Sequence, residues 1–376
     1  MKKAIIITLI GVLIISSFVF IISCSKKEKV IKIGSVLPLT GDIAVYGKKM
    51  KQGIDLAKKE INSKGGINGR LIKLIYEDDK GDAKESVSAV NKLINTDQIE
   101  VIIGGAISST ALATVPIIDK NEVVLFSPAA TNPKLSGMSR FFFRNWPSDV
   151  FDGTAMGQFA SKELNLKNIA VLYVNNDWGL ATSDLFIKTF EKNGGKIVIQ
   201  ESFEPNNTDF KAQITKIKNT KPDALYLIAY QKEIVNILKQ KVQIGLSCRL
   251  LSTYGFFDPE IIELTGNATE GTIITAPSYD SSSDSEIVKM YVESFKEEFG
   301  EVPDIWSAQA YDALNILALA ISRNKTNSSI EIRDIIAKIK NYNGVSGKTS
   351  FDENGDVYKP LRFLIVKNGE FVNYGN

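Results

Sequence analysis

The sequence predicts an α/β protein of two doubly wound lobes, and three observations carry that prediction. Short apolar runs recur at 30–36, 71–76, 101–103, 123–126, 169–174, 197–200, 224–228 and 272–275, each suited to one buried strand. Between them, Met50, Ile54, Ala57 and Ile61 follow helical spacing, as do Val87, Val90 and Ile94, so each connecting helix has one face able to cover a sheet. The alternation appears twice, from about 30 to 147 and from about 148 to 277, which is the rhythm of two similar lobes.

Turn chemistry punctuates the elements where the rhythm requires it. Lys64-Gly65-Gly66-Ile67-Asn68-Gly69 and Asn193-Gly194-Gly195 supply glycines where a helix ends and a strand begins. Two long helical patterns follow the second lobe, near 284–299 and 304–322. The stretch Phe351-Asp352-Glu353-Asn354-Gly355-Asp356 then leads to an apolar run at 361–366, and Asn354-Gly355 fits a tight turn between short strands, which need a sheet to join.

Composition narrows the chemistry. The chain has 376 residues, enough for two domains with ample cores, and it has no histidine and two cysteines. A Ser-His-Asp or Cys-His machine, a His-x-x-x-His zinc site and a haem histidine are therefore excluded, and two cysteines alone cannot build a zinc ribbon or an iron-sulfur centre. Enzymes working with carboxylates, lysine or tyrosine stay open at this point. Gly34, Gly41 and Gly47 do not have the spacing of a dinucleotide fingerprint or a P-loop, and Asp352-Glu353-Asn354-Gly355-Asp356 lacks the full twelve-residue calcium pattern.

Residues 1–23 read as an export signal: Lys2 and Lys3, an apolar run over 4–22, then Ser23 before Cys24. The alternative is a retained membrane helix, since a span needs roughly 20 apolar residues. Ile21-Ile22-Ser23-Cys24 resembles a bacterial lipobox, which implies cleavage before Cys24, acylation of that cysteine, a short tether over 24–29 and an extracytoplasmic body held to the membrane by lipid. Without Lys2 and Lys3 the 45 basic side chains become 43, equal to the acidic count, so charge offers no argument for a nucleic-acid partner. Cys248 is then the one cysteine of the body and is expected to be buried and inert.

From Val30 onward the chain resembles the periplasmic branched-chain amino acid binding proteins, the type I substrate-binding proteins of ABC importers. The resemblance rests on Ile33-Gly34-Ser35-Val36-Leu37-Pro38-Leu39-Thr40-Gly41, the 64–69 turn, Ile103-Gly104-Gly105 with Ser108-Ser109-Thr110, and Ser127-Pro128-Ala129-Ala130-Thr131-Asn132-Pro133. It implies two lobes joined by a three-strand hinge, lobe 1 over 30–147 plus 278–350 and lobe 2 over 148–277 plus 351–376. It implies binding without catalysis or cofactor, and delivery of a small solute, an amino acid first, to permease subunits with their ATPases.

The residues support a binding site in their own right. Ser108 and Ser109 follow a strand and a Gly-Gly turn and stand where a helix begins, so free N–H groups and a hydroxyl can receive a carboxylate; an ordinary helix cap is the competing reading. Ala129, Ala130 and Thr131 lie at the carboxyl end of a strand, the ligand-facing edge of an open α/β sheet, although Thr131 can equally cap the turn through Asn132-Pro133. Trp178 and Tyr230 sit just beyond strands, and Tyr46 at a helix start; each is a pocket wall or a packing contact.

Tyr254 departs from the family pattern, which places a glutamate near this position to pair with the ligand's ammonium. That substitution leaves amides, urea-like compounds, short peptides and aromatic carboxylates as alternatives to a branched-chain, apolar or aromatic amino acid. Asp177, Glu233 and Asp258 are neighbouring acids, each with a competing role as a solvated charge. A ligand-sensing subunit reporting to a membrane receptor is the alternative to transport.

Overall fold

The computed structural model describes residues 30–326 and 328–375. Lys2, Lys3 and Cys24, and the signal and tether read from them, lie outside the described residues. Among those described, no helix is long and apolar enough to cross a membrane.

The first sheet is built from β1 (Ile31–Leu37), β2 (Ile72–Asp78), β3 (Val101–Ile103), β4 (Val124–Ser127) and β5 (Phe142–Arg144), all parallel in the order β2-β1-β3-β4-β5. Helices α1 (Ala44–Ser63), α2 (Ala83–Asn95) and α3 (Ser108–Lys120) connect the first four strands. β3 and β4 are buried along their whole length, which is why they read as unbroken apolar runs without alternation.

After α4 (Asp149–Lys162) the pattern repeats. β6 (Asn168–Val174), β7 (Lys196–Phe203), β8 (Ala224–Ile228), β9 (Arg249–Ser252) and β10 (Ile273–Pro277) run parallel. The helices between them are α5 (Asp177–Lys192), α6 (Lys211–Thr220), α7 (Gln231–Ile244) and α8 (Pro259–Thr265). The apolar run at 361–366 becomes β13 (Leu361–Lys367), which pairs antiparallel with β10, and β14 (Glu370–Asn373) pairs antiparallel with β13. The second sheet, ordered β14-β13-β10-β9-β8-β6-β7, is therefore mixed at one edge.

Asn354-Gly355 does not join two strands. The Asp352 carboxylate accepts N–H bonds from Asn354 and Asp356, both at 2.9 Å, folding the segment on itself, and only the bridge Phe351↔Val357 forms around it. The true hairpin turns at Asn368-Gly369, both at positive φ, between β13 and β14. Cys248 is partly rather than fully buried, and burial raises its thiol pKa.

The chain returns to the first sheet after β10. α9 (Glu286–Phe299) and α10 (Ile305–Arg323) pack on α1, followed by α11 (Ser329–Ala337) and the small hairpin of β11 (Tyr342–Gly344) and β12 (Gly347–Thr349). α10 opens with a reciprocal cap: Asp304 accepts from the Ser307 N–H at 2.8 Å, and the Asp304 N–H donates to Ser307 Oγ at 3.0 Å. Gly53 lets α1 approach that turn, since a Cβ there would stand 2.0 Å from the Ser307 carbonyl oxygen.

Three passages link the sheets, at 145–148, at 278–285 and at 350–360. Buried Arg144 joins the first to the third through a two-pronged ion pair with Asp356 at 2.7 and 2.9 Å. Lys359 does the same, donating to Asn145 Oδ1, Gln309 Oε1 and Ser346 Oγ at 2.8, 3.0 and 2.8 Å. Burial brings its ammonium down to about 7, with Asp312 partly offsetting the shift.

Candidate ligand-binding site

The carboxyl ends of both sets of parallel strands face one another, and the segments leaving them line a cavity between the sheets. From the first sheet come Pro38 and Tyr46 after β1, Ala106, Ile107 and Ser108 after β3, and Ala129 and Thr131 after β4. From the second come Trp178 after β6, Tyr230 after β8 and Tyr254 after β9; Trp306 is added by the first turn of α10. The space between atoms, mouth included, is about 360 Å³.

Local geometry sets each wall. α3 begins at Ser108 with Ile107 at its cap position and no side-chain cap bond, so the ordinary capping role is not what Ser108 performs. Its Oγ accepts from the Asn132 N–H at 3.1 Å, which leaves the hydroxyl proton free to donate beside the open N–H groups of the first helical turn. Asn132, not Thr131, caps the following turn, accepting from Lys134 N–H at 2.8 Å. Trp178 is pinned where α5 meets β6: a Cβ on Gly179 would sit 2.0 Å from the Val174 carbonyl oxygen. Ser109 and Ala130 are not among the lining residues; Ala130 donates its N–H to Ser127 Oγ at 2.9 Å.

Six aromatic rings close a circuit at the cavity, five of them in its wall and the sixth, Trp146, packed against Tyr254 and Trp306. Going around it, ring centroids are 6.1 Å apart for Tyr46–Tyr230, 4.9 Å for Tyr230–Trp178, 5.7 Å for Trp178–Tyr254, 4.8 Å for Tyr254–Trp146, 4.8 Å for Trp146–Trp306 and 4.6 Å for Trp306–Tyr46. All three tryptophans of the chain are in it. Trp178 and Trp306 each carry a buried indole N–H with no partner within the protein, so both lobes bring a spare donor to the cavity wall.

No charged side chain lines the cavity. Asp149, in the first turn of α4, stands directly behind it: Thr131 Oγ1 donates to Asp149 Oδ2 at 2.7 Å, and the Tyr254 hydroxyl is 2.9 Å from Thr131 Oγ1. Burial pushes Asp149 up to about 6, with bonds from Thr131 and Thr182 partly offsetting it. Asp152, one turn on, is pushed up to about 7 by burial and by Asp149. Asp177, Glu233 and Asp258 do not line the cavity. Asp258 instead pairs with Lys49 of α1 at 3.1 Å, an inter-lobe ion pair.

The lobes are drawn together over the site. Tyr46 Oη accepts from Gln231 N–H at 2.8 Å and donates to the Gly255 carbonyl at 3.4 Å; Asn132 Nδ2 donates to the Asp177 carbonyl at 2.6 Å; Lys232 pairs with Asp42. Although burial disfavours its charge, Asp304 and Asp258 hold the Lys49 ammonium above its ordinary range. The arrangement suits one small, partly apolar solute bearing a carboxylate.

Sequence reasoning did not find Trp306, Trp146, Pro38 or Asp149. The scarcity of tryptophan was the available signal, because three large amphipathic rings in one chain are spent where they bury most area.

A two-lobed α/β fold with a closed inter-lobe cavity defines a solute-binding protein. The chain belongs to the periplasmic binding protein family, whose model matches residues 30–370. It is similar to the leucine-, isoleucine-, valine-, threonine- and alanine-binding protein of Pseudomonas aeruginosa, 28% identical over 94% of this chain and 91% of that one. Among solved structures it resembles a leucine binding protein from Thermotoga maritima, 33% identical with a TM-score of 0.86, covering 92% of this chain and 98% of that one. It also resembles a branched-chain amino acid transporter substrate binding protein from Streptococcus pneumoniae in complex with isoleucine, 29% identical with a TM-score of 0.84, covering 91% and 98%.

Proposed function

We propose that the chain is the solute-binding component of an ABC importer and captures an amino acid with an apolar side chain, leucine, isoleucine or valine first. The observation that carries this reading is the pairing, in one cavity, of a helix start at Ser108 with five aromatic rings, Tyr46, Trp178, Tyr230, Tyr254 and Trp306. The first receives a carboxylate through free N–H groups and a hydroxyl. The second buries an aliphatic or aromatic side chain, worth roughly 1.5–3 kcal/mol. The similarity to binding proteins for these amino acids supports the same choice.

Cleft closure excludes water and presents a joined surface of both lobes to the permease subunits, which their ATPases drive. In this reading lobe 1 comprises 30–147 plus 278–350 and lobe 2 comprises 148–277 plus 351–376. The signal at 1–23 is removed, and acylated Cys24 tethers the body outside the cytoplasm.

The test is to purify the protein natively, extract what it carries and identify it by mass spectrometry. A branched-chain or aromatic amino acid supports the reading, whereas a urea-like compound or a sugar defeats it. One observation favours a second reading: the cavity wall has no charged side chain, which would suit an aliphatic or aromatic carboxylate without an ammonium group.

A further inference from the structure

The amino-acid reading leaves the ligand's ammonium without an evident partner, because among the described residues no charged side chain lines the cavity. We propose that Asp149, acting through Thr131 and the Tyr254 hydroxyl, is the counter-charge for that ammonium and selects amino acids over carboxylates lacking it. The proposal rests on the reading of the cavity as an amino-acid site.

The direction of the hydrogen bonds follows from the carboxylate. An ionised Asp149 can only accept, so the single Thr131 proton is committed to Asp149 Oδ2 at 2.7 Å. The Tyr254 proton is then directed into the same pair, to Thr131 Oγ1 across their 2.9 Å contact or to Asp149, which the hydroxyl also stabilises. With its own proton spent, the Tyr254 oxygen offers lone pairs at the cavity wall, backed by a negative charge two bonds away. A neutral tyrosine so polarised recognises a donor, and an ammonium in particular.

The carboxylate also lacks a cation of its own. Asp149 is fully buried and forms no ion pair among the described residues, and its Oδ1 has no hydrogen-bond partner. The nearby guanidinium of Arg144 is committed to Asp356, to Ser136 Oγ and to the Asn132 carbonyl. The other groups around Asp149 cannot neutralise it: Asp152 on its own helix carries the same sign, and Tyr226, Tyr230 and Tyr254 are phenols whose pKa burial raises. Hydrogen bonds from Thr131 and Thr182 and the charge of Arg144 offset the burial of this carboxylate only in part, and a cationic ligand group supplies the remainder. Asp149, held at about 6, is ionised at neutral pH and ready to act this way.

The test compares L-leucine with 4-methylpentanoate, the same skeleton without the ammonium, by calorimetric titration at pH 7.5. The wild-type protein is expected to bind leucine at least about 30-fold more tightly. Asp149→Asn is expected to collapse that ratio below about 3-fold by weakening leucine while leaving 4-methylpentanoate unchanged or improved. Tyr254→Phe, which keeps the ring and removes only the hydroxyl, is expected to lower the ratio in the same sense and stands in if Asp149→Asn does not fold. Equal binding of both compounds by the wild type, or leucine selectivity undiminished in either folded variant, overturns the proposal while leaving the amino-acid site intact. Failure of the wild type to bind any amino acid overturns the underlying reading, and this proposal with it.

Discussion

In the proposed site, Ser108 is the residue on which carboxylate recognition turns. Its hydroxyl proton is free and it does not cap α3, so Ser108→Ala removes a ligand contact without removing a helix cap. Affinity for leucine is expected to fall by about 1.5–3 kcal/mol, the value of a hydrogen bond to a charged group, with the melting temperature nearly unchanged; calorimetry and a thermal scan read the two separately. Asp152 makes the opposite trade. Its folded-state pKa of about 7 lies above the unfolded value of about 3.9, so folding holds a proton that the unfolded chain releases. Stability is therefore lost as pH rises from about 4 to 7, and the full cost is present above 7. Asp152→Asn keeps an acceptor for the Thr275 hydroxyl and is expected to stabilise the protein by ~1–3 kcal/mol at pH 7.5 and by little at pH 4, measured by denaturant unfolding at both. Tyr46, Ser108, Ala129, Thr131, Trp178, Tyr230 and Tyr254 were legible because they sit at helix starts or in segments leaving strands and fall on motifs of the resemblance. Asp149 and Trp146 were not, because they stand just after and on a passage between sheets whose course depends on pairings far away in sequence.

At the scale of elements, the apolar runs announced β1, β2, β3, β4, β6, β7, β8 and β10, whereas β5 and β9 went unread. Phe142–Arg144 ends in an arginine and Arg249–Ser252 has only two apolar residues, so neither looks like a buried strand until its neighbours pair with it. The passages between sheets are held by charge rather than by ladder bonds, which periodicity cannot reveal. Arg144 is fully buried and its guanidinium relies on Asp356 from the third passage. Asp356→Ala strands that charge and is expected to cost about 3–5 kcal/mol, visible as a lower urea midpoint, while the double variant Arg144→Met/Asp356→Ala recovers part of the loss. An unchanged midpoint for the single variant would mean that the pair does not hold the two passages together.

For the whole molecule, two sheets with opposed carboxyl edges make a cleft, and the contacts across it decide how far it is closed. Lys49–Asp258 and Lys232–Asp42 bridge the lobes at the rim, with the Tyr46 hydroxyl bonded to both Gln231 and Gly255 between them. Lys49→Ala/Lys232→Ala is expected to open the ligand-free protein, raising its radius of gyration in X-ray scattering, and saturating leucine should restore the wild-type value. The rhythm of the sequence foretold two lobes; that the helices after residue 285 return to the first of them, bringing Trp306 to the cavity, depends on the close fit of α10 against α1 at Gly53. The account's central claim is that this cleft captures an apolar amino acid, and calorimetric titration of the unfolded, ligand-stripped and refolded protein with L-leucine tests it most directly. One saturable site per chain is predicted, weakened in Ser108→Ala; no binding of leucine, isoleucine, valine or phenylalanine by protein that has regained its native circular dichroism would contradict it.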